Sequence, residues 1–345
     1  MSVGTAAGSL TRDLVLPELV TTESRSLTGL QLRYRVFGDV EAAEENGWIL
    51  VFHALTGSSE VDAWWGPLLG PGKALDTTRH AIVAANLLGG CYGSTGPAEW
   101  RAEHHEQFPE LTPADLARAH IPLLEHLGVR RLALATGGSL GGMVALHWGR
   151  VASVPTDRLV VFAAPASASP QAISWNAVQR MAIEADPAWA GGAYPQGAGP
   201  VAGLAAARAV AMITYRSGPE FRARFGRLSS RSEGRFDVEH YLRRQGEKLV
   251  ARFDAASYVA LMRSMDLHDM GDFTTAARDT AQRVGLVTGV GIDSDILYPA
   301  SEVRDWVAAY RDGGANAEYR EIGSLYGHDA FLIEWDQVEG ILRGA

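Results

Sequence analysis

The stretch RLALATGGSLGGMVALHWGRV, residues 131–151, carries the reading that decides the fold. Residues 132–135 are a short apolar run of strand length, and residues 140–151 continue in an apolar, helix-like pattern. Between them Gly137-Gly138-Ser139-Leu140-Gly141 fits G-x-S-x-G. A serine at the centre of a sharp strand-to-helix turn has its hydroxyl lifted clear of the sheet, and the small flanking residues let neighbouring backbone approach. An ordinary glycine-rich turn with serine as a helix cap would use the same letters. The strand before it and the helix directly after it favour a nucleophile.

Similar apolar runs stand at 48–52, 81–85, 159–163 and 284–288. Residues 113–127 between the second and third strands read as a helix capped by Thr112. Strands alternating with helices predict an α/β fold, a mostly parallel sheet flanked by helices. Residues 14–20 and 30–37 have no helix between them and predict an antiparallel edge. From 167 to 278 the pattern is helical, with breaks at 191–192, 195–200 and 229–234. This predicts a core domain of residues 1–166 and 279–345 and an all-helical lid of residues 167–278.

The chain has 345 residues, 31 basic and 40 acidic, for a formal charge of −9. That length supports a sizeable core without metal or disulfide staples, and Cys91 is the sole cysteine. The acidic balance argues against a nucleic-acid-binding body. The start reads as neither signal peptide nor membrane span, so a cytoplasmic protein with no membrane partner is expected. Against the overall charge, residues 216–252 hold ten basic side chains and five acidic ones. This is either a solvated helical face or a docking surface for a polyanion.

A serine hydroxyl needs a base, and the base needs an orienting carboxylate. In the order Ser, then Asp or Glu, then His, the candidates are Asp295, after the strand from 284, and His328, after a strand at 317–322. Asp293 is the rival to Asp295. A tetrahedral intermediate also needs N–H donors: Leu140, next to the nucleophile, and Leu55, in the loop His53-Ala54-Leu55-Thr56-Gly57 after strand 48–52. His53 itself is read as structural. No metal set stands out, since the neighbours His104 and His105 lack the i, i+4 pairing. Leu88–Gly93 matches no phosphate-binding loop and reads as a tight turn lining a pocket, with Cys91 packed in it.

The chain also resembles the homoserine O-acetyltransferase family of α/β-hydrolase-fold acyltransferases. The resemblance is carried by HALTG (53–57), GPGKALDTTRH (70–80), NLLGGCYGSTGP (86–97), GGSLGGM (137–143), GLAAARAVAMITYRS (203–217), RFGR (224–227), RFDAASY (252–258) and SLYGHDAFLIE (324–334), in family order. Leu140 stands where the family often has Met, and Ala256 where it often has Asn. The resemblance implies Ser139, Asp295 and His328 as catalytic triad and Leu55 and Leu140 as oxyanion donors. It implies Arg208 and Tyr215 at the acceptor amino acid, with Asp329 opposite its ammonium. It further implies acyl-CoA and L-homoserine as substrates, no cofactor, a homodimer, and acyl transfer through an acyl-serine. Serine or succinyl variants of the reaction, or a plain esterase or thioesterase, are the alternatives.

Overall fold

The computed structural model describes residues 10–195, 197–227, 229–230 and 235–344. The first nine residues, and parts of the expected breaks at 195–200 and 229–234, lie outside the described residues. Eight strands among the described residues form the main sheet: β1 (Leu10–Val15), β2 (Gln31–Gly38), β3 (Trp48–Phe52), β4 (Ala81–Ala85), β5 (Leu132–Gly138), β6 (Thr156–Phe162), β7 (Val284–Ile292) and β8 (Ala317–Ile322). Their order across the sheet is β1-β2-β4-β3-β5-β6-β7-β8. From β4 to β8 all neighbours are parallel, while β2 runs antiparallel to both β1 and β4.

The antiparallel edge forms, though shifted from the expected 14–20. β1 ends at Val15, where it pairs Gln31. Pro17 has no N–H to continue the ladder, and Leu19–Val20 instead pairs with Ser26–Leu27. The expected helix 113–127 is two short helices, Pro113–Arg118 and Ile121–His126. Pro122 cannot donate to residue 118, so one continuous helix is interrupted there. The central strands are buried on both faces, which is why β3 and β4 read as unbroken apolar runs.

Between β6 and β7 the chain leaves the sheet. Its way out and back is stitched by Ala168 N–H to the His268 carbonyl and Met270 N–H to the Ala166 carbonyl, both 2.9 Å. Beyond that stem lie α1 (Pro170–Glu184), α2 (Val201–Tyr215), α3 (Gly218–Phe225), α4 (Asp237–Val250) and α5 (Ala255–Asp266). α2 packs between α1 and α4. The next helix, Phe273–Ala281, runs across residue 278 and packs on Leu140–Val151 and Ala300–Asp312, which flank the sheet. No helix among the described residues is long and apolar enough to cross a membrane.

Candidate active site

Ser139 sits at the turn between β5 and the helix Leu140–Val151, with φ 57° and ψ −126°. This is strained backbone for a residue with a Cβ and costs about 1–3 kcal/mol. Close packing holds it. The Ser139 N–H donates to the Phe162 carbonyl at 3.0 Å, tying the turn to the end of β6. A Cβ on Gly141 would collide with the Phe52 carbonyl oxygen and lie 2.8 Å from that of His53. Glycine at 141 thus brings the loop after β3 against the start of the serine helix.

That loop carries Leu55. Its N–H, like that of Leu140, donates no hydrogen bond among the described residues, and both residues are buried. His53 anchors the loop: its Nδ1–H donates to the Ala54 carbonyl at 2.8 Å, and its Nε2 accepts from the Leu87 N–H at 2.9 Å. Burial drives its pKa down to about 4, with the Ala54 bond opposing, so the imidazole is neutral and structural. From the helical insertion, Arg252 donates to the Thr56 carbonyl at 2.8 Å and to the Tyr92 hydroxyl at 2.6 Å.

Asp295 and His328 come together although β8 separates them in sequence. His328 Nδ1 lies 2.7 Å from Asp295 Oδ2, and Asp295 Oδ1 accepts the N–H groups of Leu297 (2.8 Å) and Tyr298 (3.0 Å). Burial alone would lower the His328 pKa. The charge and hydrogen bond of Asp295, with the charge of Asp329, outweigh it, and the pKa is raised. His328 Nε2 is buried and carries no hydrogen bond among the described residues, so none joins it to Ser139 Oγ in this conformation. Such bonds often close only when substrate is bound. Phe331 links the two sides: it touches the space a Gly138 Cβ would fill, and its ring centroid is 5.8 Å from that of His328. Asp293, the rival carboxylate, is exposed and accepts the Ser324 N–H at 2.9 Å, fastening the histidine loop.

The residues implied for the acceptor converge here too. The Tyr215 and His328 ring centroids are 5.7 Å apart, and the Arg208 guanidinium lies 5.4 Å from the Tyr215 ring centroid. Arg208 is half-buried and forms no ion pair among the described residues. Asp329 pairs with Arg216 at 3.2 Å. Burial raises its pKa, with Arg216, His328 and Arg208 pulling the other way.

The alpha/beta hydrolase fold family matches residues 47–263. A homoserine O-acetyltransferase of Moorella thermoacetica is 44% identical over 341 residues, covering 92% of this chain and 90% of the relative. The chain belongs to the homoserine O-acetyltransferase family. Among solved structures, a Bacillus anthracis homoserine O-acetyltransferase aligns with TM-score 0.86 at 22% identity, covering 97% of both chains. Esterase E22 aligns equally well, TM-score 0.86 at 19% identity, covering 98% of this chain and 99% of the other. At such identities the likeness is one of fold, and the fold serves transferase and esterase alike.

Three residues of the site were missed in the sequence. Arg216 follows Tyr215 in the stretch 203–217, yet nothing local shows that it faces Asp329. Tyr298 stacks edge-on against His328, centroids 5.2 Å apart. Tyr258 donates to Gln179 at 2.7 Å beside Tyr215. The basic stretch 216–252 also divides. Arg216 is mostly buried against Asp329 and Glu220, and Arg252, though exposed, reaches the Thr56 carbonyl, whereas Arg243, Arg244 and Lys248 line a cavity of about 630 Å³ along α4. Arg231 lies outside the described residues. Cys91 borders a separate cavity of about 410 Å³, and burial pushes its thiol up to about 11, away from nucleophilic use. No group of three metal-ligating side chains occurs among the described residues.

Proposed function

We infer that this chain is an acyl-CoA-dependent O-acyltransferase that converts acetyl-CoA and L-homoserine to O-acetyl-L-homoserine and CoA, a step of methionine biosynthesis in the cytoplasm. In this reading Ser139 is the nucleophile. His328 Nε2 takes the hydroxyl proton as Oγ attacks the thioester carbonyl, while Asp295 fixes the tautomer and balances the imidazolium. The N–H groups of Leu55 and Leu140 receive the oxyanion; losing one such donor typically costs about 3 kcal/mol. The tetrahedral intermediate expels CoA as thiolate, His328 returns the proton to that sulfur, and acetyl-Ser139 remains. Homoserine enters, His328 removes its hydroxyl proton, and attack on the ester releases the product and restores Ser139.

Transfer must outrun hydrolysis by water at roughly 55 M, and a well-placed acceptor gains about 7–11 kcal/mol of barrier. One observation carries the choice of transferase over esterase. A half-buried guanidinium with no ion-pair partner among the described residues, Arg208, lies over the Tyr215 ring that faces His328, and a carboxylate, Asp329, directly follows His328. They suit the two ends of an amino acid. The helical insertion over them is the lid that narrows access for water. The cations along α4 suit the phosphates of acyl-CoA.

The deciding experiment is a two-by-two assay, acetyl-CoA or succinyl-CoA with L-homoserine or L-serine, with mass spectrometry of the products. Acetyl-CoA with homoserine should give the ester fastest. Thiol release at the same rate with and without acceptor would make the chain a thioesterase. Arg208→Ala should raise the homoserine KM about ten- to a hundredfold while the first burst of CoA persists.

A further inference from the structure

The junction of α2 and α3, residues 215–217, rests on the loop that carries His328. A Cβ on Gly327 would lie 2.8 Å from the Tyr215 carbonyl oxygen and 2.9 Å from the Ser217 nitrogen, so only glycine, here at φ 64°, admits the contact. The Ser217 hydroxyl donates to the Leu325 carbonyl. Tyr215 faces the imidazole. At the centre of the clamp, Arg216 reaches Asp329 Oδ2 at 3.2 Å and Glu220 Oε1 at 3.3 Å. The Arg216, Glu220 and Asp329 side chains are all at least four-fifths buried, with 15%, 10% and 16% exposure.

We propose that Arg216 is a positioning residue for the acceptor, holding Asp329 charged and turned so that its free oxygen meets the substrate ammonium. Arg216 engages Oδ2 and leaves Oδ1 without a hydrogen bond among the described residues. Glu220 keeps the guanidinium in place and leaves it about neutral as a pair, so Asp329 is not simply cancelled. The groups facing Asp329 are Arg216 and Arg208 from the helical insertion, His328 from its own loop, and Asp295 from the end of β7. Tyr241 of α4 and Arg224 of α3 complete the surroundings of Arg216 and Glu220. Burial raises the Asp329 pKa, and Arg216 is the largest force against that rise. Without Arg216 the carboxyl would take up a proton more readily and attract an ammonium less. Breaking a buried pair from one side is also far costlier than removing both partners.

The proposal rests on the acyl-transfer reading and is tested by acceptor choice. Homoserine is compared with 4-hydroxybutyrate, which keeps the hydroxyl and carboxylate and lacks the ammonium, using Arg216→Met, Arg216→Lys, Asp329→Asn and the double variant Arg216→Met/Asp329→Asn. In Arg216→Met the preference for homoserine in kcat/KM should fall about tenfold or more and recover as pH is raised and Asp329 ionises. Arg216→Lys should keep most of the preference. Asp329→Asn and the double variant should discriminate alike, because Arg216 acts through Asp329. If Arg216→Met fails to fold, the double variant, which leaves no buried charge stranded at 329, and Arg216→Lys still decide. An unchanged preference, or a loss independent of pH and additive with Asp329→Asn, overturns the proposal. Wild-type protein that releases no CoA in response to homoserine overturns the acyl-transfer reading instead.

Discussion

His53, in the loop after β3, and His328, in the loop after β8, both stand at C-terminal strand ends, and both are almost wholly buried. Their chemistry is opposite. The His53 ring is held between a backbone carbonyl and a backbone N–H, and burial takes its pKa down to about 4. The His328 ring is held by a carboxylate, and its pKa goes up in spite of burial. Burial removes solvation from both imidazolium forms, and only a fixed negative charge restores it. One histidine is therefore a neutral strut for the oxyanion loop, and the other is a base able to accept and return a proton.

The largest effect should come from Ser139→Ala, which removes the atom the base serves. Turnover should fall about ten-thousandfold or more, and the CoA burst and labelling by a fluorophosphonate should vanish. Persistence of the label would place the nucleophile elsewhere. Asp295→Asn should cost about a thousandfold or more in kcat. It should also move the acidic limb of the pH–rate profile downward, since the group that raises the His328 pKa is gone. Asp293→Asn, by contrast, should cost no more than about fivefold and barely move the melting temperature, because its amide oxygen can still accept the Ser324 N–H. The reverse ranking would exchange the roles of the two aspartates.

His53→Gln sharpens the contrast. It should lower kcat about tenfold through a displaced Leu55 N–H, with the acidic limb where it was. A shift of that limb would mean that His53 takes part in proton transfer. A separate effect is on stability. His53, His120 and His268 titrate near 4 in the fold, with burial the leading cause, and near 6.5 when unfolded. Between those values the unfolded chain binds more protons, so stability should fall as pH drops from about 6.5 toward about 4. His328 contributes with the opposite sign, since its raised pKa adds stability below the unfolded value that fades as pH rises past the folded one. The urea midpoint measured across this range should fall toward acid, less steeply in His53→Gln.

Much of the fold was legible because its signals are local. A buried parallel strand must be apolar throughout, so 48–52 and 81–85 announce themselves. A strand–turn–helix with glycine on both sides of a serine permits few backbone paths, so the position of Ser139 is readable from its neighbours alone. Proline also acts locally: Pro17 ends the edge strand and Pro122 divides the helix from 113, so apolar spacing alone puts both boundaries in the wrong place.

What the sequence could not decide were contacts between distant segments. Asp293 and Asp295 differ by two positions, and their separate duties follow only from which one β8 and its loop bring under His328. Arg208 and Arg216 lie on one helix and its cap; the fold gives Arg216 carboxylate partners and leaves Arg208 without one among the described residues. Residue types fix what a group can donate, accept or ionise. Its partners, its burial and hence its charge are set by where the folded chain puts the rest, and through-space energies of that kind leave no pattern along the primary structure.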